Sequence, residues 1–295
     1  MRIVPEHLYP FENHWLELDE LRLHYLDEGS GEAVVAVHGN PTWSFYYRDL
    51  VRDLRDEYRV IVPDHMGCGL SDKPGDDAYE YTLNRRIGDF SRLMDDLGLD
   101  DINLVVHDWG GMIGLGWAAR NPERIKRERI KRLVILNTAA FHLPKSKSFP
   151  WQLWLVRDTP LGPLMVRGFN AFARGATRAA CTRKSLSKEV RDAYCAPYDS
   201  WADRIATLRF VQDIPLGPGD PGYDIVSDTA ARLEVFRERP VLVCWGDKDF
   251  VFDQHFLAEW QRILPGADVH RFADCGHYIL EDASEEIIPL IRQFL

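Results

Sequence analysis

Hydrophobic and polar positions along this chain switch repeatedly between a two-residue and a helical period. Trp15-Leu16-Glu17-Leu18 and Leu21 to Leu26 alternate around Asp19-Glu20, which predicts an antiparallel hairpin. Ala33 to Val37 is instead a continuous apolar run, as in a strand buried on both faces. A helical stretch near 44–56 and a strand from Tyr58 to Val62 follow. From about Leu83 to Leu97, the residues Ile87, Phe90, Leu93, Met94 and Leu97 form one stripe, with Thr82 placed as N-cap. A strand Ile102 to Val106 then enters a Gly-rich turn and a helix ending near Asn121-Pro122, and Leu133 to Leu136 is another buried strand.

Strands alternating with helices imply parallel pairing in a doubly wound α/β sheet. The rhythm stops after Phe141. Between 142 and 238 there is no strong β run, and aromatics sit among helix formers. It resumes with a strand Val241 to Trp245, a helix near 255–264, a strand Val269 to Phe272 and a C-terminal helix whose regular part is expected to begin at Pro289. The expected organisation is an α/β core of residues 1–141 and 239–295, interrupted by a helical cap over 142–238.

The chain has 295 residues, 45% apolar and 28% charged, enough to bury a sizeable core. Its net charge of −10 argues against nucleic acid as a partner. Five scattered cysteines without a C-x-x-C pair read as reduced thiols, and the N-terminus lacks a secretory apolar core, so a cytoplasmic location is expected. No apolar run approaches the roughly 20 residues that a bilayer demands, so no membrane span is expected. The pentapeptide Glu123-Arg124-Ile125-Lys126-Arg127 recurs at once as Glu128-Arg129-Ile130-Lys131-Arg132. A short duplication lengthening a surface connection explains it at small cost in closure entropy.

The chemistry concentrates in four segments. Leu104-Val105-Val106-His107-Asp108-Trp109-Gly110-Gly111 runs a buried strand through a tight turn into a helix, the setting of a nucleophile elbow, with Asp108 where the general motif has Ser. Asp could merely cap the helix, but two later segments favour catalysis. Gly246-Asp247-Lys248-Asp249 follows a strand and offers an acid, with Asp249 preferred over Asp247, and Asp274-Cys275-Gly276-His277 follows the last strand and offers a base. The order nucleophile, acid, histidine is that of the α/β-hydrolase fold. His38-Gly39-Asn40-Pro41-Thr42-Trp43 supplies the fourth segment, where the backbone N–H groups of Asn40 and Trp109 would form an oxyanion hole. The Asn40 amide and the Trp109 indole add two neutral donors suited to a leaving anion.

In these segments the chain resembles the haloalkane dehalogenases, and more narrowly those pairing an Asn–Trp halide cradle with an acid after the penultimate core strand. Pro63-Asp64-His65-Met66-Gly67-Cys68-Gly69, Leu136-Asn137-Thr138-Ala139-Ala140-Phe141 and Gln212-Asp213-Ile214-Pro215-Leu216 are also similar to the β-lactone decarboxylases of long-chain olefin biosynthesis. The resemblance spans nearly the whole chain; the tandem pentapeptide departs from it, away from the expected site. It implies a small apolar substrate, no cofactor and no metal, with Asp108 as nucleophile, Asp249 and His277 as acid and base, and Asn40 with Trp109 holding the leaving group.

These residue types suit that reaction. A carboxylate with an ordinary pKa near 3.9 is charged at neutral pH and needs no base to attack. Asp108 would displace halide from an sp³ carbon, giving an ester that a His277-activated water hydrolyses to the alcohol. Alternatively it would open a β-lactone, with loss of carbon dioxide giving a cis-alkene. Phe141, Phe169 and Phe172 are expected in the substrate pocket, and Trp151, Trp154 and Phe210 share the aromatic character that suits one. Two weaker readings are an epoxide hydrolase recruiting Tyr194 or Tyr198, which Asn40 argues against, and a non-catalytic receptor. Gly67-Cys68-Gly69-Leu70-Ser71 lacks the third glycine and lysine of nucleotide loops, and none of the ten histidines forms a metal motif.

Overall fold

Eight strands form one sheet: β1 His14–Leu18, β2 Leu21–Glu28, β3 Glu32–Val37, β4 Tyr58–Pro63, β5 Ile102–Asp108, β6 Ile130–Thr138, β7 Val241–Gly246 and β8 Asp268–Phe272. Their order is β1-β2-β4-β3-β5-β6-β7-β8. β2 is antiparallel to β1 and β4, and the remaining pairs are parallel. The computed structural model describes residues 4–99, 101–120 and 130–295. The expected helix end at Asn121-Pro122 and positions 123–129 of the tandem repeat lie outside the described residues.

Among the described residues, the helices of seven residues or more are α1 Arg48–Leu54, α2 Leu83–Asp96, α3 Trp109–Arg120, α4 Trp151–Asp158, α5 Ala171–Ala179, α6 Lys188–Cys195, α7 Ile205–Gln212, α8 Tyr223–Arg232, α9 Gln254–Ile263 and α10 Ser284–Phe294. Thr82 caps α2, its side chain accepting from the Arg85 N–H, and Ile87, Phe90, Leu93 and Met94 are buried. The central strands feed both faces of the sheet. Val35 and Val37 pack with Leu104, Val106, Leu133 and Val243 on one side, while Val34 and Ala36 join Val105, Val134 and Leu242 on the other. Burial on both faces is why these strands read as unbroken apolar runs.

One sequence expectation about the elements needs correction. α10 begins at Ser284 and runs through Pro289. Pro289 lacks only the bond to the Glu285 carbonyl; both residues are exposed, so water can satisfy that oxygen, while buried Ile287, Ile288 and Ile291 hold the helix. α8, within 142–238, packs against α3 of the sheet layer: Arg232 Nη1 donates to the Ala119 carbonyl at 2.7 Å.

Candidate active site

Asp108 ends β5 at a left-handed φ of 51° and turns the chain directly into α3. Such a conformation costs a non-glycine residue of order 1 kcal/mol or more, so the surroundings must impose it. They do so through close packing of small residues. A Cβ on Gly39 would fall 1.9 Å from Asp108 Oδ1, and one on Gly110 would fall 1.9 Å from the Val37 carbonyl oxygen. Thr138 Oγ1, from the end of β6, donates to the Asp108 carbonyl.

The loop after β3 delivers Asn40, whose backbone N–H donates to Asp108 Oδ1 at 2.6 Å. The Trp109 N–H also donates to this carboxylate. Burial lifts the Asp108 pKa above its ordinary value, opposed by the charge of His277 and by these two N–H groups. The Asn40 amide is fixed at one end, Nδ2 donating to the Thr207 carbonyl at 3.1 Å, and retains a second N–H.

His277 Nε2 lies 3.5 Å from Asp108 Oδ2, and its Nδ1 is 2.7 Å from Asp249 Oδ2. Burial pulls its pKa down, but the charge and hydrogen bond of Asp249, with the charge of Asp108, outweigh it and leave the imidazole above its ordinary value. Asp249 is itself held: Oδ1 accepts from the Val251 and Phe252 N–H groups at 2.7 and 3.1 Å. Asp247 instead pairs with Arg271 at 3.0 Å on the surface. The geometry therefore joins Asp108, His277 and Asp249 and leaves Asp247 out.

A cavity of about 280 Å³ opens onto Asp108, Asn40, Trp109 and His277. Its walls are apolar, from Phe141, Leu153, Val156, Phe172, Val211 and Phe252 among others. Of the three phenylalanines expected there, Phe141 and Phe172 line it, but Phe169 does not. Phe169 is 66% exposed and rims a separate polar cleft, because left-handed Asn170 turns the chain just before α5. Trp151 and Trp154 are also exposed, and Phe210 is buried against the Trp109 ring with centroids 5.3 Å apart. Tyr194 and Tyr198 are buried away from the cavity, donating to Glu281 and to the Thr42 carbonyl, so neither stands ready to protonate an epoxide.

Three supporting residues escaped the sequence reading. Asn137, at φ 31° in β6, donates from Nδ2 to Asp249 Oδ2 at 3.1 Å and to the Gly246 carbonyl, and accepts from the Gly246 N–H. His107 Nε2 donates to the His277 carbonyl at 2.8 Å. Asp282 accepts from the Gly276 N–H at 2.7 Å and so anchors the histidine loop. A polar Asn ending an apolar strand run was the one visible hint.

The alpha/beta hydrolase fold family matches residues 32–284. The chain is 59% identical to a cis-3-alkyl-4-alkyloxetan-2-one decarboxylase of Shewanella oneidensis, over 98% of this chain and 89% of that one. It is 33% identical to a haloalkane dehalogenase of Psychrobacter cryohalolentis, over 97% and 93% of the two chains. The solved haloalkane dehalogenase DatA of Agrobacterium tumefaciens superposes with a TM-score of 0.84 at 24% identity, covering 96% of this chain and 95% of that one, a likeness of fold. With its elbow aspartate, mostly parallel sheet and loop histidine, this chain belongs to the alpha/beta hydrolase fold family of enzymes.

Proposed function

We propose that this chain decarboxylates cis-β-lactones bearing two alkyl groups, using Asp108 as a covalent nucleophile. The observation that carries this reading is the 59% identity to a decarboxylase of that name over nearly the whole chain, against 33% to a haloalkane dehalogenase. The site is compatible with it: one carboxylate held by two backbone N–H groups at the floor of an apolar cavity. The dehalogenase reading favoured by the motifs alone moves to second place.

Asp108 attacks the ring carbon bearing the ring oxygen, and that carbon–oxygen bond breaks to free a carboxylate. The Asn40 amide and Trp109 indole donate to the departing oxygen. The bond to the carboxylate carbon then breaks, its electron pair forming the alkene as the bond to Asp108 opens. Carbon dioxide leaves and Asp108 is regenerated, with no net uptake of water or proton. Inversion at the attacked carbon followed by anti loss preserves the cis geometry. His277, held by Asp249, supports the returning Asp108 charge.

The second reading rests on the same donors at the cavity floor. An alkyl halide would give the Asp108 ester and halide, and His277 would take a proton from water attacking the ester carbonyl. The two differ in the fate of oxygen. Turnover in oxygen-18 water leaves Asp108 unlabelled if a lactone fragments, but labels it if an ester is hydrolysed. The test is purified protein with a cis-β-lactone and, separately, a 1-bromoalkane. Alkene and carbon dioxide with an unlabelled Asp108 peptide are expected; halide release without alkene formation overturns the proposal.

A further inference from the structure

We propose that the outer surface formed by α4, α5 and the turns between them docks on an anionic lipid bilayer. Five of the large apolar side chains left exposed among the described residues, Trp151, Trp154, Leu161, Leu164 and Phe169, fall within 151–169. Exposed Trp201 joins them: a Cβ on Gly168 would lie 3.2 Å from Leu164 Cδ1 and 3.7 Å from Trp201 Cζ3. A patch of this kind marks an interaction surface.

Its charge selects the partner. A polar cleft of about 530 Å³ opens beside Gly168 and Phe169 and holds the cations Arg174, Arg178, Lys188, Arg191 and Arg204 with two carboxylates, Asp192 and Asp199. Arg174 and Arg178 are exposed, whereas Lys188 pairs with Asp192 at 2.5 Å. The bias extends along the chain, since residues 142–209 hold twelve Lys and Arg against five Asp and Glu in a chain of net charge −10. Aromatic and aliphatic side chains beside a cationic cluster suit the headgroup region of an anionic bilayer, where rings sit at the interface and cations meet phosphate. No helix among the described residues is long and apolar enough to cross a membrane, so the contact is peripheral.

α5 ties this surface to the active site. Phe172, Gly175, Ala176 and Ala179 line the apolar cavity, while Arg174, Thr177 and Arg178 line the basic cleft. Both spacings follow the helical period, so a single amphipathic helix separates them. Docking there brings the apolar cavity beside the phase into which a molecule with long alkyl chains partitions. The docking stands whichever substrate the site turns over.

Sedimentation of the full chain with phosphatidylcholine vesicles, with and without phosphatidylglycerol, tests it. Binding that requires phosphatidylglycerol and weakens with salt is expected. Arg174→Glu with Arg178→Glu lowers the vesicle affinity by at least about 25-fold, at roughly fivefold per cation. Trp154→Ser with Leu161→Ser also weakens binding, while both doubly substituted chains keep the wild-type melting temperature and turnover of a short, dispersed substrate. Binding indifferent to phosphatidylglycerol, or unchanged in the charge-reversed chain, overturns the proposal. So does gel filtration showing a dimer that Trp154→Ser splits, which makes the patch an interface between copies.

Discussion

Asn137 Nδ2 and His277 Nδ1 converge on one atom, Asp249 Oδ2, at 3.1 and 2.7 Å. The amide comes from β6 and the carboxylate from the loop after β7, so the sheet itself aims the acid at the histidine. Asn137→Ala removes that donor and unpairs the Gly246 N–H. Stability should drop by about 1–3 kcal/mol for the buried groups left unmatched. Turnover should fall by up to about 100-fold through misplacement of His277. Urea melts and steady-state rates separate the two, and an unchanged kcat would leave Asn137 a purely structural residue.

Glycines give a graded test of close packing. Gly39→Ala drives a methyl group into Asp108 Oδ1 and should cost more than 100-fold in turnover. Gly88→Ala, inside α2 with nothing within 4 Å of its Cβ, should instead stabilise the fold by about 1 kcal/mol. Thermal melts of both variants check this contrast.

His277→Ala distinguishes the two chemistries. With a 1-bromoalkane, attack by Asp108 proceeds but hydrolysis stops, and intact-mass measurement should find an alkyl ester on Asp108. With a cis-β-lactone the ester fragments without a base, so alkene should still form and no adduct should accumulate.

The pH profiles should differ in the same sense. Ester hydrolysis requires neutral His277, whose pKa lies above its ordinary value, so halide turnover should rise with pH through a limb above about 6.5. Lactone decarboxylation requires ionised Asp108, whose raised pKa places the acid limb above about 3.9, and a protonated His277 beside the returning charge, so its rate should fall in acid and fall again as pH rises through a limb above about 6.5. Steady-state rates on the two substrates across pH read both limbs.

Acid stability should trace to Asp64, buried beneath the His38 loop. Burial would raise its pKa, but the bond and charge of His24, with the His38 charge and the Leu70 N–H, hold it well below the carboxylate range. A depressed folded pKa contributes stability that is complete above the unfolded value near 3.9 and is lost as pH falls toward the folded one. Asp64→Asn should therefore flatten the acid limb of the stability curve, read by urea melts between neutral and acid pH.

Much of the site is local information. The β5 run, the elbow at Asp108 and Gly110-Gly111, and the histidine loop can be recognised because each depends on neighbours in sequence. Asp249 could be preferred over Asp247 by loop position, but only the bond to His277 separates them physically.

What the chain alone determined was the alternation of strands and helices, the run of apolar positions buried in the sheet, and the order of Asp108, Asp249 and His277 at strand ends. Tertiary structure decided the rest: that Asn137 reaches Asp249, that Phe169 faces away from the cavity, that Pro289 is carried inside α10, and that Trp151 and Trp154 stay exposed. Periodicity tells which face of an element is apolar. It does not tell what that face meets, because the partner is set by packing between segments far apart along the chain.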